Sequence, residues 1–455
     1  MDLVIKNGNV VDFRARNMMQ KNVGIKDQKI YLITDRDISG KKVIDANGKV
    51  VSPGFIDIHN HTDYNFKIGN KDPFETAKHM LIMGVTTSVG GNCGGGIVDI
   101  ERYANLIKKQ GAPNNYMGLI GHIELRNAVG NTDVYKTSTK LQIEKMKELL
   151  KKGLEKGAVG ISFGLEYSPG ATYEEVLEFC KVVKDYPNAL GSVHFRYDGG
   201  RAIRGVNEII SLARDSGAYM QISHLNSGVC YGFTDEALKM IDNARGQGIN
   251  VMADAYPYNA FSTDAGSPVF NDGCLENWNV GYDSILIATG EHVGKRCDKE
   301  LFECVRENSP LTSFVAFVMN EEEVDKVLTY PNIIIASDGN INGGQGHPRA
   351  AGTFPRALHR YAAGKEEKDW IYILEKMTRL PAERLGLSSK GELVEGADAD
   401  IVIFDQEKIK DNSTFEKPSL LPSGICYVLL NGEIAVKDNV IIKNDLGEFI
   451  ERAEQ

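Results

Sequence analysis

The sequence predicts an α/β protein, a (β/α)8 TIM-type barrel carrying a small β-sandwich domain made from both chain ends. The first observation is a rhythm of apolar runs of strand length, beginning near Gly54, Val85, Tyr116, Ala158, Ala189, Ala218, Ile249 and Asn332. Amphipathic helical stretches separate most of them, at 141–156, 173–185, 201–216 and 234–247. Eight strand–helix units over roughly 300 residues suit a closed barrel better than an open sheet. The second observation is a change of texture at both ends, to short alternating strands punctuated by turn dipeptides. Together these divide the chain into an accessory domain, 1–52 plus 390–455, and a barrel, 53–389.

Taken in order, residues 2–6 and 9–12 read as two strands parted by an Asn7-Gly8 turn, followed by strands at 21–26 and 42–45. Segments 396–405 and 426–433 have the same texture, so the two ends are expected to share one sheet. Pro53-Gly54 then releases the apolar run Phe55-Ile-Asp-Ile58, which delivers His59 and His61. Residues two apart on a strand point to one face, so both imidazoles aim at one spot. Later strands follow the helices without a break until the seventh. Some seventy residues, about 259–330, then intervene before the eighth, far beyond the usual connection. An insertion over the barrel mouth is expected there.

Composition bounds the partners. Lys+Arg 52 against Asp+Glu 62 gives a net charge of −10 without a basic block, which argues against nucleic acid and anionic membranes. No apolar run is long enough to span a bilayer, and the N-terminus lacks the pattern of a secretory signal. Seven scattered cysteines, an odd number, do not form a disulfide framework, so a reduced, cytoplasmic protein is expected. Oligomeric state is left open.

In such a barrel, chemistry sits at the C-terminal ends of the strands. The polar residues there are His59 and His61 on the first strand, Cys93 on the second, His122 on the third and Glu166 with Tyr167 on the fourth. His194, His224, Asp254 and Asp338 end the fifth to eighth. Neutral imidazole is the commonest ligand of zinc-like metals, and four or five of the nine histidines fall at strand ends. Cys93, in Gly90-Gly-Asn-Cys-Gly-Gly-Gly96, is either a small residue in a tight turn or a thiolate ligand. Glu166 is read as a bridging carboxylate, a partner behind a ligand, or an exposed loop residue. Asp338 ends the apolar run Ile333-Ile-Ile-Ala-Ser, where a carboxylate needs a metal, a partner or a proton. General acid–base work is its expected role.

With those residues in place, the chain resembles the amidohydrolase superfamily, and within it the N-acyl-D-amino-acid deacylases (D-aminoacylases). The segments that carry the resemblance are Gly91-Asn-Cys-Gly94, Gly164-Leu-Glu-Tyr-Ser-Pro-Gly170, Ile222-Ser-His224, Asp254-Ala-Tyr-Pro-Tyr258 and Ser337-Asp-Gly339. The most specific are His347-Pro-Arg-Ala-Ala-Gly-Thr-Phe-Pro-Arg356 and residues 376–386. The resemblance implies a tightly held zinc on Cys93, His194 and His224. A second, weaker position would use His59 and His61, with Cys93 bridging. It also implies Asp338 as the catalytic acid/base, Arg349 and Tyr167 on the substrate α-carboxylate, and His122 or Tyr167 near the developing oxyanion. The implied substrate is a small N-acyl amino acid. Two segments depart from the pattern, His59-Asn-His-Thr-Asp-Tyr64 and His194-Phe-Arg-Tyr-Asp-Gly199, which leaves the side-chain preference open.

The nearest alternative is a cyclic-amide hydrolase of the dihydroorotase or hydantoinase kind, or an isoaspartyl dipeptidase. Those relatives place a carboxylated lysine at the end of the fourth strand, and residues 158–166 hold no lysine. A non-catalytic metal-binding barrel is the alternative of another class, and it has no use for Asp338 as a proton shuttle.

Overall fold

The computed structural model describes residues 1–454. One nine-stranded sheet joins the chain ends: Val50–Pro53 pairs parallel with Leu3–Asp12 and antiparallel with Ile401–Phe404. Val50 and Val51 are fully buried in it, and Pro53-Gly54 leads straight into the next sheet. The expected turn at Asn7-Gly8 is instead a bulge inside one ten-residue strand, Leu3–Asp12. Ile5 lies opposite Val23 and Gly8 opposite Lys21, so this strand carries one extra residue. Asn7 takes a φ of +60°, and a Cβ on Gly8 would lie 2.3 Å from Val51, so glycine is required where the strands close up.

Between the ends lie two runs of parallel strands. The first joins Phe55–Asp57, Val85–Gly90 and Asn115–Gly118. The second runs Ile120–Gly121, Gly160–Gly164, Leu190–His194, Tyr219–Ile222, Val251–Ala255 and Ile333–Ile335. A single residue separates Gly118 from Ile120, so the third strand passes from one run to the other. At the far end, Asp338 N–H donates to His59 O (2.7 Å) and His61 N–H to Gly339 O (3.0 Å). The last strand is thereby bonded to the continuation of the first. Helices Lys140–Glu155, Tyr173–Lys184, Ala202–Ser216 and Thr234–Gly246 each bury an apolar stripe against the strands.

Residues 260–317 contain a three-stranded antiparallel sheet, Ala260–Asp264, Ser313–Phe317 and Ile285–Ile287, closed over a core of Phe261, Phe270, Trp278, Phe302 and Phe314. All seven cysteines are free, and among the described residues no helix is long and apolar enough to cross a membrane.

Candidate metal centre

The site is assembled where parallel strands end and backbone geometry turns unusual. Asp57, fully buried, accepts hydrogen bonds from Ser337 N (3.0 Å), Ser337 Oγ (2.5 Å) and His59 N (3.2 Å). Its carboxylate thus clamps the end of the first strand to the end of the eighth, and burial pushes its pKa up to about 7. Cys93, His224 and Asp338 all have left-handed φ, at +54°, +33° and +52°. For non-glycine residues this conformation is strained and persists only where the surroundings impose it. At Cys93 the turn lies so close to the fourth strand that a Cβ on Gly164 would meet the Cys93 carbonyl oxygen at 2.3 Å.

The side chains converge in two groups that share the thiol. His59, His61, Cys93 and Asp338 form one, Cys93, His194 and His224 the other, each with ligand atoms within 4.8 Å of one another. Outer partners aim the rings. His194 places Nε2 3.0 Å from Glu166 Oε2, leaving Nδ1 to face His224 Nε2 at 2.9 Å. Ser227 Oγ sits 2.7 Å from His224 Nδ1, leaving that Nε2 inward, 3.6 Å from Cys93 Sγ. His59 turns Nδ1 towards Asp254 Oδ1 (3.3 Å) without an aligned hydrogen bond, and its Nε2 lies 3.4 Å from Cys93 Sγ. Asp254 also takes the backbone N–H of His224 (2.7 Å), so one carboxylate positions both histidines.

Electrostatics agree with the donor set. Burial alone would raise the Cys93 pKa, but His59 and the hydrogen bonds of His194, His224 and His59 hold it well below the usual thiol range. Burial opposes protonation of His61 and His194, yet Asp338 and Cys93 for the one, and Cys93 and Glu166 for the other, push both up to about 9. A thiolate ringed by imidazoles that compete for protons suits a zinc-like divalent cation, which takes soft sulfur and imidazole nitrogen together and displaces those protons. The residues present fit such an ion.

Asp338 Oδ1 lies 3.0 Å from His61 Nε2 and 3.3 Å from His59 Nε2, while Oδ2 lies 2.9 Å from Arg349 Nη1. Arg349 opens the helix Arg349–Tyr361 and is buried, its guanidinium 4.8 Å over the Tyr256 ring and Nη2 on Ser262 O (3.3 Å). Its Nε and Nη1 have no aligned hydrogen-bond acceptor among the described residues. Tyr167 packs against His194 with the rings tilted by 40° and their centroids 4.4 Å apart, and it faces the cavity. Burial, reinforced by the Cys93 charge, holds its phenol well above the ordinary pKa, so it stays a donor.

One sequence expectation narrows and one changes. Of the readings held open for Glu166, its 3.0 Å contact with His194 Nε2 fits that of a partner behind a ligand. His122 does not reach the site. It begins the helix His122–Ala128, fully buried between Phe163 and Phe179, with Nε2 on Glu175 (3.1 Å). Glu175 is held there by Arg126 (2.9 Å) and Ser138 (2.9 Å), a buried network that braces helices rather than substrate. Sequence reasoning gave Asp254 no role and passed over Ser227. Asp254 had the signal of a strand end, and Ser227 that of a hydroxyl three residues past a ligand.

Above the cluster opens a cavity of about 390 Å³. His61, Cys93, Tyr167, Asp338 and Arg349 form its floor, and the 260–317 segment forms one wall.

A family model described as the amidohydrolase family matches residues 42–278 and 326–436. An N-acyl-D-glutamate deacylase of Alcaligenes xylosoxydans xylosoxydans is 30% identical over 462 residues, spanning 95% of this chain and 93% of its own. A D-aminoacylase of the same organism is 30% identical over 481 residues, 99% of this chain and 98% of its own. Among solved structures, the N-acyl-D-glutamate deacylase of Bordetella bronchiseptica superposes with a TM-score of 0.88 at 28% identity, covering 100% of both chains. That protein is complexed with zinc and a phosphonate inhibitor that mimics the reaction's tetrahedral intermediate.

Proposed function

The chain belongs to the amidohydrolase family, and from that premise we propose that it hydrolyses the amide bond of N-acyl-D-amino acids, releasing a carboxylic acid and a D-amino acid. The observation that carries the reading is the position of Asp338, wedged between the histidine–thiolate cluster and a buried guanidinium at the floor of the cavity. The near full-length likeness to deacylases supports the substrate class. Strand-end bonding from Asn60 to Gly339 supports the finer architecture, a closed (β/α)8 barrel with the terminal sheet as accessory domain. Seven free cysteines support a reducing, cytoplasmic setting.

Cys93, His194 and His224 would hold the tight zinc, and His59 with His61 a second position that shares Cys93. Zinc, when bound, supplies Lewis acidity, polarising a carbonyl and making water a stronger acid. Asp338 does the proton work. Oδ2 faces Arg349, so Oδ1 receives the proton of the attacking water and returns it to the amine, which would otherwise leave as a poor anion. Tyr167, kept protonated, donates to the oxygen on which charge develops or to the substrate carboxylate. The Arg349 guanidinium borders the cavity and keeps an Nε without a hydrogen-bond partner, so it can meet the α-carboxylate while Nη1 faces Asp338. The fourth strand, Gly160–Gly164, carries no lysine, which separates the site from the cyclic-amide hydrolases.

The direct test is a turnover screen of zinc-loaded protein on N-acetyl D- and L-amino acids beside hydantoins and dihydroorotate. Hydrolysis confined to the N-acetyl-D series is expected, and activity confined to the cyclic amides would overturn the reading.

Arg349→Lys separates the two duties of the guanidinium. A lysine keeps the charge but not the fork, so kcat/KM on free-acid substrates should fall about 10- to 100-fold, and on their carboxamides much less. Burial would raise the Asp338 pKa, but Arg349 together with His59 and His61 holds it well below the usual carboxylate range. Weakening Arg349 raises that pKa, so the acid limb of the profile should move to higher pH for both substrates. Equal losses on acid and carboxamide would show that Arg349 does not read the carboxylate.

A further inference from the structure

The wall contributed by residues 260–317 holds a carboxylate that the mechanism does not use. Asp264 ends the strand Ala260–Asp264 and lines the cavity with Ser262, Thr263, Asn340, Asn342 and Gln345. It is half-buried, and no described residue hydrogen-bonds its carboxylate. The other charges around the cavity are taken. Lys67 Nζ donates to Glu124 (2.9 Å) and Gly95 O (3.1 Å), Asp63 accepts from Gly91 N (2.9 Å), and Asp338 and Arg349 face each other. His61 is held by Asp338 at 3.0 Å. Burial pushes the Asp264 pKa up to about 6, with Lys67 and His61 pulling against it, so the group is ionised at neutral pH.

We propose that Asp264 is a specificity-determining residue that selects substrates bearing a positively charged hydrogen-bond donor, an ammonium or guanidinium, besides the α-carboxylate. The inference rests on the deacylase reading and deepens it. A partly desolvated carboxylate without a donor favours a ligand that supplies one. The hydroxyls and amides beside it supply further acceptors for the several N–H groups of such a cation. The same charge disfavours an acidic side chain, the chemistry for which one relative is named. The cation is carried either by the amino-acid side chain or by the acyl group.

Two pairs of near-isosteric substrates distinguish these sources. N-acetyl-D-ornithine is compared with N-acetyl-D-norleucine, and N-(4-aminobutanoyl)-D-alanine with N-pentanoyl-D-alanine, using kcat/KM of the zinc-loaded parent. A cation preference of about tenfold or more is expected in one pair, the worth of one charged hydrogen bond. Asp264→Asn should bring that ratio towards unity, and Asp264→Lys should turn preference towards N-acetyl-D-glutamate. Because the ratio is also read in the parent, a variant that fails to fold leaves the test intact. Ratios within about twofold in both pairs, with neutral substrates turned over, overturn the selectivity alone. No turnover of any N-acyl-D-amino acid overturns the deacylase reading, and the selectivity with it.

Discussion

An Asp338→Asn enzyme is expected to keep its fold and its zinc while kcat falls by about two to four orders of magnitude, the usual worth of a positioned acid–base group. Asparagine nearly matches aspartate in shape and still hydrogen-bonds, so the backbone bond from residue 338 to His59 O (2.7 Å) and the left-handed turn at φ +52° should survive. What is lost is the ability to take a proton at Oδ1 and give it back. The local field makes the contrast sharp. Arg349 and the two histidines outweigh burial and hold the carboxyl well below its ordinary pKa, so the parent keeps its base form into acid pH. The parent's kcat/KM profile should therefore show an acid limb, and the variant's should not. Zinc content and thermal unfolding separate this loss from a structural one. A folded, zinc-replete variant that hydrolyses its best substrate within a few-fold of the parent would remove Asp338 from the proton path.

The parts of this site that can be read from sequence are those set by local pattern. Ile333–Ile335 and Phe55–Asp57 are short strands followed within a few residues by Asp338 and by His59 and His61. Both histidines lie beyond the strand, so they share one spot by meeting Asp338 Oδ1 rather than by strand period. What the chain does next is decided by distant contacts. Asn7-Gly8 is the same dipeptide in a turn or a bulge, and only the register of Leu3–Asp12 against Asn17–Lys26 makes it a bulge. His122 follows a strand as closely as His194 ends one, but a helix begins there and turns its ring into the Phe163–Phe179 core. No periodicity marks that direction. Left-handed φ at Cys93, His224 and Asp338 has no signature in non-glycine residues. Asp264 comes to the cavity because Ala260–Asp264 pairs with Ser313–Phe317, some fifty residues on, a pairing invisible to local reading.

Removing two ligands of the proposed tight site should have the other large effect. In His194→Ala/His224→Ala, Cys93 remains as the sole donor of its group, while His59, His61 and Asp338 still surround it on the other side. The double variant is expected to lose zinc on dialysis and at least about three orders of magnitude in turnover, since the metal and its oriented partners act as one unit. Both imidazoles are aimed by groups outside the site, Glu166 at 3.0 Å and Ser227 at 2.7 Å, so alanine also frees two partners to reach water. His59→Ala makes the control. It strips one donor from the opposite group but leaves Cys93, His194 and His224 intact, so only a weaker second metal should be depleted. Elemental analysis at equal protein concentration reads both outcomes. One zinc per chain in the double variant would place the tight ion elsewhere. Loss of all zinc in His59→Ala would instead mean that the two positions form one inseparable site.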